Sequence, residues 1–262
     1  MDGSHTIPAV LTRADAEPKL PRLGGMARPD GVVIVSERFW AFAGLDGTVR
    51  TGQMPAPNRF LQHIPLLRGL VRLGASLSPL FRRSGVARPR ERYLLLLAVL
   101  APLALVLVPE SARTPVGILL TLGLLGWMLR GRTLNLHGAE HRAIGACEVR
   151  SLAATWTGEA RPSRFAPRCG TNFAALAAPV TIFAERLWPF APALYTPLAV
   201  TLVALSLTME LWLAIQDSSR SLARGLLLPG LGLQRITTRE PRLDETRVAL
   251  MAVASVLERE LA

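Results

Sequence analysis

Residues 193–215 read ALYTPLAVTLVALSLTMELWLAI, an almost unbroken apolar run in which Glu210 is the single formal charge. A helix rises about 1.5 Å per residue, so a run of this length reaches across a bilayer core about 30 Å thick. This stretch decides the class: a membrane protein, mainly α. Working towards the N-terminus, three further runs share its character. They are Tyr93 to Pro109 (YLLLLAVLAPLALVLVP), Thr114 to Leu129 (TPVGILLTLGLLGWML), and Phe173 to Phe183 with an extension to Trp188. The first two are joined by the short break at Pro109–Arg113 and form a transmembrane hairpin over 93–129. The last two make a second pair over 173–215. About four transmembrane helices are therefore expected.

The composition agrees once its parts are located. The 262 residues are 50% apolar with a mean hydropathy of +0.32, yet carry a formal charge of +11. A charged fraction of 19% on so apolar a chain excludes disorder, and two cysteines exclude a disulfide scaffold. The arginines alternate in density across the spans. Arg82, Arg83, Arg88, Arg90 and Arg92 precede the first span, and only Arg113 follows it. Arg130, Arg132, Arg142, Arg150, Arg161, Arg164 and Arg168 separate spans two and three. Arg186 stands alone before the fourth span, and Arg220 and Arg224 follow it. By the positive-inside rule, both termini and the central segment 130–172 are cytoplasmic in a multi-pass cell-membrane protein. The charge flanks spans instead of forming a stripe with interleaved aromatics. That favours anionic lipid headgroups, not nucleic acid, as its partner.

The remaining segments are polar or mixed. Residues 1–29 are Pro-rich and polar, lack a basic-then-apolar leader pattern, and read as a disordered tail. Residues 30–57 are rich in Val, Phe and Trp around Leu45-Asp46-Gly47-Thr48, and predict a small cytoplasmic β-hairpin or meander. Within 58–92, Asn58 is placed to cap an amphipathic helix over 59–81, bent or ended by Pro65 and Pro79, that packs on its neighbours or lies at the membrane surface. Over 216–262, the Gly/Pro-broken LLLPGLGLQRITTREP (226–241) reads as re-entrant or interfacial, and 243–261 as a soluble amphipathic helix with Val248, Met251, Val256 and Leu257 at helical spacing.

Hydropathy leaves some polar residues unexplained. The central loop opens LNLHGAEHRAIGACEVR, holding His137, Glu140 and His141. On a helix, positions i and i+4 share one face a turn apart, so both imidazoles can reach one ion. H-x-x-E-H is the inverted zinc-protease order, with two histidine ligands and a glutamate as general base. Asn135 would cap that helix. The plainer alternative is a pair of interfacial histidines meeting headgroups. For a third ligand, Glu148 lies on the same face but about 10 Å of rise beyond His141. Cys169, in Pro167-Arg168-Cys169-Gly170-Thr171, lies on the same side of the membrane and would complete a His/His/Cys set with an open fourth position; its plain reading is a small buried residue, as for Cys147. A Cys147–Cys169 disulfide does not fit a loop facing the reducing cytosol. Glu210 is an intramembrane carboxylate, which by itself suggests a ligand, an arginine partner or a proton site. Glu185, beside Arg186, reads as interfacial.

Three ordered motifs, HGAEHRAIGACE (137–148), PRCGTNF (167–173) and PGLGLQRITTREP (229–241), separated by spans, closely resemble the YqhQ-like family of prokaryotic multi-pass membrane proteins of unknown function. The likeness runs from about Gly24 to Leu261. It includes Gly24-Gly25, Asp30-Gly31-Val32 and the step Pro65-Leu66-Leu67-Arg68-Gly69. It implies a metal-dependent enzyme, and on matching positions carries over His137, Glu140, His141, Glu148, Cys169, Gly170, Gln234, Thr237, Thr238 and Glu240. Two positions depart from the family pattern. Ala166 stands where a histidine is usual three residues before the cysteine, removing a candidate ligand or proton carrier. Asp30 stands where the early Gly-Gly segment usually has an acidic residue, often Glu.

Three functional readings follow. In the first, a membrane-embedded metal-dependent hydrolase holds a divalent ion, Zn²⁺, through His137, His141 and Cys169 or Glu210. Glu140 then takes a proton from the bound water, and the substrate is a membrane-associated peptide or lipid. In the second, the same residues form a structural or regulatory metal site in a non-catalytic scaffold or assembly factor, which Ala166 favours. A transporter is the weakest, since there is no inverted repeat.

Overall fold

The computed structural model describes residues 6–56, 60–82, 85–191, 193, 195–218 and 220–262. The first part of the chain forms α1 (Ile7–Ala16) and the strands β1 (Gly24–Arg28), β2 (Gly31–Val35), β3 (Phe39–Gly44) and β4 (Val49–Gln53). The helices that follow are α2 (Leu67–Phe81), α3 (Pro89–Ala104), α4 (Glu110–Met128), α5 (Thr133–Glu148), α6 (Leu152–Thr157), α7 (Gly170–Arg186), α8 (Thr196–Asp217), α9 (Ser221–Gly225), α10 (Leu228–Thr237) and α11 (Leu243–Glu260). The protein is thus mainly helical with a small N-terminal antiparallel sheet. Two compact units divide it. One contains Met1–Ala56, Leu129–Cys169 and Leu231–Ala262; the other contains Pro57–Met128 and Gly170–Gly230.

In the first unit the strands pair in sequence order as an antiparallel meander. The turn expected at Asp46-Gly47 joins β3 to β4. Gly47 adopts φ 81°, and the Asp46 carboxylate accepts the Thr48 N–H at 3.0 Å. Val32 pairs with Ala43 and Ile34 with Ala41, and these four side chains are fully buried against α5 and α11. The C-terminal helix expected over 243–261 is α11, which buries Leu250, Val253, Val256 and Leu257 in the same core.

Two expectations are corrected here. Residues 7–16 and 24–28 are not a disordered tail. Pro8 occupies the first turn of α1, where its missing N–H costs nothing, and Val10, Leu11 and Ala14 recur on one buried face. Asp15 then caps α6, accepting the Leu152 and Ala153 N–H groups at 3.0 and 2.9 Å. Nor is 130–172 simply a loop. Its first part is α5, whose Leu136, Ala139, Ala143 and Ala146 sit at helical spacing in the centre of the unit. The segment from Leu231 onward also belongs to this unit, with Gln234 and Thr238 buried.

The second unit is helical. α7 and α2 pack on α8, and α3 touches both α4 and α8. Among the described residues one helix, Thr196–Gln216, is long and apolar enough to cross a membrane. The other three apolar runs lie in helices of 16, 19 and 17 residues. Asn58, the expected cap, and Arg59 lie outside the described residues. α2 begins at Leu67 just after Pro65, and Pro79 falls in its last turn. Gly69 lets it approach α8 closely: an added Cβ would stand 2.5 Å from the Cβ of Met209.

Candidate metal centre

α5 carries both motif histidines, and it begins one turn earlier than expected. Arg132 occupies the N-cap position, so Asn135 is not the cap; its amide instead donates to the Glu240 carbonyl at 3.2 Å. Gly138 lets the 239–241 segment run against the helix, since a Cβ there would lie 2.2 Å from the Arg239 carbonyl oxygen.

His137 and His141 project one turn apart, with ring centroids 4.4 Å apart and planes at 65°. Each ring is oriented by a backbone carbonyl. His137 Nδ1 lies 2.9 Å from the Thr237 oxygen and His141 Nδ1 lies 2.7 Å from the Arg164 oxygen. A carbonyl only accepts, so both Nδ1 atoms carry the proton and both Nε2 atoms present a lone pair. His137 Nε2 is 3.2 Å from Cys169 Sγ. His141 Nε2 is buried and has no hydrogen-bond partner among the described residues. One ligand atom from each of His137, His141 and Cys169 falls within 4.8 Å of the others. Zinc bonds of about 2.0–2.3 Å place tetrahedral ligands about 3–4 Å apart, so the set fits a small inward adjustment.

The electrostatics favour the ligand form of the imidazoles. Burial lowers the His137 pKa, and burial together with His137 lowers that of His141 to about 4. Both rings are neutral near pH 7. The carbonyls that fix the Nδ1 protons hold both rings in the orientation a shared metal ion would need.

The other expected site residues lie elsewhere. Glu140 is buried and turned towards the sheet: a Cβ on Gly25 of β1 would meet its Oε1 at 2.8 Å. Burial pushes its pKa up to about 8, so it keeps its proton at neutral pH. Glu148 is exposed and paired with Arg168. Glu210 accepts the Leu66 N–H at 3.1 Å and the Arg68 Nε at 2.8 Å, and is paired with the same guanidinium through Nη2. The structure brings together three of the five expected ligands and gives the two glutamates arginine partners. Cys147 is buried in the core of the first unit.

Residues carried over by resemblance alone now have physical roles. Gln234, fully buried, clamps the backbone of Ala166: its Oε1 accepts the Ala166 N–H at 2.9 Å and its Nε2 donates to the Ala166 carbonyl at 2.8 Å. Arg164 donates to the carbonyl and hydroxyl of Thr238 at 2.6 and 2.8 Å. Arg142 pairs with Glu240 at 2.5 Å and donates to the Pro162 carbonyl at 3.0 Å. These contacts hold the segment before Cys169 against α5. The sequence offered no signal for the Thr237 and Arg164 carbonyls, because a backbone acceptor has no residue signature.

This assembly lies within a recognised family region: residues 117–259, more than half of the chain, match the DUF1385 family, described as a protein of unknown function. The chain belongs to the DUF1385 family. A curated relative of this DUF1385 protein, "Uncharacterized protein YqhQ" of Bacillus subtilis (strain 168), is 31% identical over 134 residues, covering 49% of the chain and 42% of the relative. The chain therefore spans less than half the length of that relative. No solved structure matches.

Proposed function

We propose that this DUF1385 protein is an integral membrane protein that holds a divalent metal ion, zinc on ligand grounds, through His137, His141 and Cys169. The observation that carries the reading is His141 Nε2, a buried lone pair without a donor beside a second oriented imidazole and a thiol. An unsatisfied buried acceptor costs about 1–3 kcal/mol, and a cation removes that cost. Two imidazoles with one thiolate suit zinc better than the oxygen-preferring ions. Glu140 faces Gly25 and holds its proton, so the site is better suited to a structural or regulatory metal than to catalysis.

A metal-dependent hydrolase is the second reading, favoured by the three-ligand set, which leaves one tetrahedral position. A zinc ion there would acidify a bound water. Under that reading the substrate is a membrane-associated peptide or lipid, and Glu140 must turn from Gly25 to serve as base.

Support for membrane residence comes from the second unit. Leu119 and Leu122 of α4, and Ile182 and Phe183 of α7, are 60–69% exposed, a surface that water does not favour. With the arginine alternation, this supports a multi-pass arrangement with cytoplasmic termini and the metal site on the cytoplasmic side, near anionic headgroups.

Elemental analysis of the full chain in detergent tests the site. Wild type is expected to carry about one zinc per chain and His141→Ala none; equal stoichiometry in both would overturn the proposal. Glu140→Gln keeps the metal under both readings. Loss of peptide or lipid hydrolysis in that variant selects the hydrolase.

A further inference from the structure

A second polar site lies in the first unit, apart from the three metal-site side chains. It is a cavity of about 180 Å³ lined by Arg142, Thr155, Arg161, Glu240, Arg242 and Thr246 among others. Three of its polar side chains are deeply buried: Arg142 is 7%, Thr155 1% and Thr246 2% exposed. Thr246 Oγ1 donates to the Arg242 carbonyl at 2.9 Å, so its hydrogen is committed. Thr155 Oγ1 is buried and has no hydrogen-bond partner among the described residues. A hydroxyl isolated in this way asks for an acceptor.

The charge in the cavity is unbalanced. Glu240 is its one acidic residue, and it is held by Arg142 at 2.5 Å and by Arg164 at 3.6 Å. The guanidinium groups of Arg161 and Arg242 have no acidic partner among the described residues. Arg242 is also the N-cap of α11, the longest helix of this unit, and Leu243, its first residue, lines the cavity. The N-terminal end of a helix carries positive partial charge that favours anions. Of the acidic residues in its first turn, Asp244 and Glu245 both pair with Arg132, and Glu245 also accepts the Arg242 N–H at 2.8 Å, which leaves the Arg242 guanidinium to the cavity.

The geometry points to a binding site for a phosphate monoester, held by Arg161, Arg242 and the Thr155 hydroxyl at the start of α11. Guanidinium forks match phosphate oxygens bidentately, and the hydroxyl supplies a further donor. The volume limits the ligand. Drug-sized ligands occupy about 300–1,000 Å³, so this cavity takes a single phosphate group and not a nucleotide. The monoester is either a small soluble molecule or the headgroup of a lipid such as phosphatidic acid. The site requires neither the metal ion nor the membrane reading, since its residues all lie in the first unit.

Titration of the detergent-solubilised full chain with glycerol 3-phosphate tests it, read by calorimetry with chelator present. Wild type is expected to bind saturably. Arg161→Gln with Arg242→Gln should weaken binding at least about tenfold, and Thr155→Val about three- to tenfold, with thermal unfolding in ligand-free buffer unchanged. Thr155→Val is the sharper variant, because with no ligand its buried hydroxyl has nothing to lose. Binding that both variants leave unaltered, or no saturable binding by wild type, overturns the site. Vesicles containing phosphatidic acid, set against phosphatidylglycerol vesicles of equal surface charge, identify the source. A preference for phosphatidic acid that the double variant abolishes assigns the lipid headgroup; saturable binding of the soluble ester without that preference assigns the soluble ligand.

Discussion

Leu250 and Leu257 of α11 are completely buried, whereas Leu119 and Leu122 of α4 are 69% and 60% exposed. The polar residues show the reverse pattern. The first unit encloses Glu140, His141, Arg142, Gln234 and Glu245, each at 5%, 2%, 7%, 0% and 1% exposure, while the second unit spreads leucine, isoleucine and phenylalanine over its helix surfaces. Burying ionisable groups requires specific partners, and most are present: Glu245 has Arg132, and Arg142 has Glu240. Apolar side chains exposed in such number suit the apolar medium of the proposed membrane residence. The difference teaches that hydropathy, read along the chain, says little about whether a polar segment is folded.

The comparison can be broken at its strongest point first. Leu250→Ala removes a fully buried side chain from the first unit and should cost about 2–5 kcal/mol, measured by chemical denaturation of the full chain in detergent. A loss below about 1 kcal/mol would mean that this core is loosely packed. Leu119→Arg, midway along α4, should disfavour membrane insertion by about 2.5–3.5 kcal/mol, seen as a shift from the membrane to the soluble fraction. A change within about 0.5 kcal/mol, typical of a wet surface, would remove the contrast between the units.

A pH experiment sharpens the first unit. Burial pushes the Cys147 thiol from its ordinary 9.0 up to about 12. The folded state thus disfavours the thiolate, and the associated stability is full below pH 9 and fades as pH rises towards 12. At pH 10.5 wild type should have lost about 1–2 kcal/mol that Cys147→Ala does not lose, read as the difference between their denaturation curves at pH 8 and 10.5. Parallel curves would sink this. The smallest effect is expected in the second unit, where Arg68 and Glu210 are partly exposed, with side-chain exposures of 41% and 21%. Arg68→Gln should shift the denaturation curve only slightly and leave the zinc content unchanged. Zinc loss in that variant would reinstate Glu210 as a ligand.

Much of the local structure was legible. The Asp46-Gly47 turn, the C-terminal helix and the placement of His137 and His141 on one helix face depend on spacing within a few residues, and the structure has them. Cys169, about thirty residues away, is legible as a partner only through the expected topology and the family motif around it, not through spacing. Long-range pairing was not legible. Nothing near Glu210 announces that Arg68 and the Leu66 N–H will reach it, and nothing in IPAVLTRADA announces the core that covers Val10 and Leu11. Segment 130–172 reads as a loop because its histidines, glutamates and arginine lower the hydropathy of α5, although Glu140, His141 and Arg142 are buried. Glu140 shows the limit most clearly. Its position in the motif suggested a catalytic base, and its orientation towards Gly25 follows from the sheet packed on α5.

The first unit is assembled from three stretches of chain, Met1–Ala56, Leu129–Cys169 and Leu231–Ala262. Synthesis runs from the N-terminus, so the sheet and α5 emerge well before α11, which fills their shared core. Until the last stretch arrives, Val32, Ile34 and Leu136 have no cover from it, and His137 lacks the Thr237 carbonyl that sets its ring. The unit therefore closes only once its third stretch has been made, after the intervening helices. A ribosome-arrested chain stopped before Leu243 would present an open sheet face, the species on which a chaperone would act.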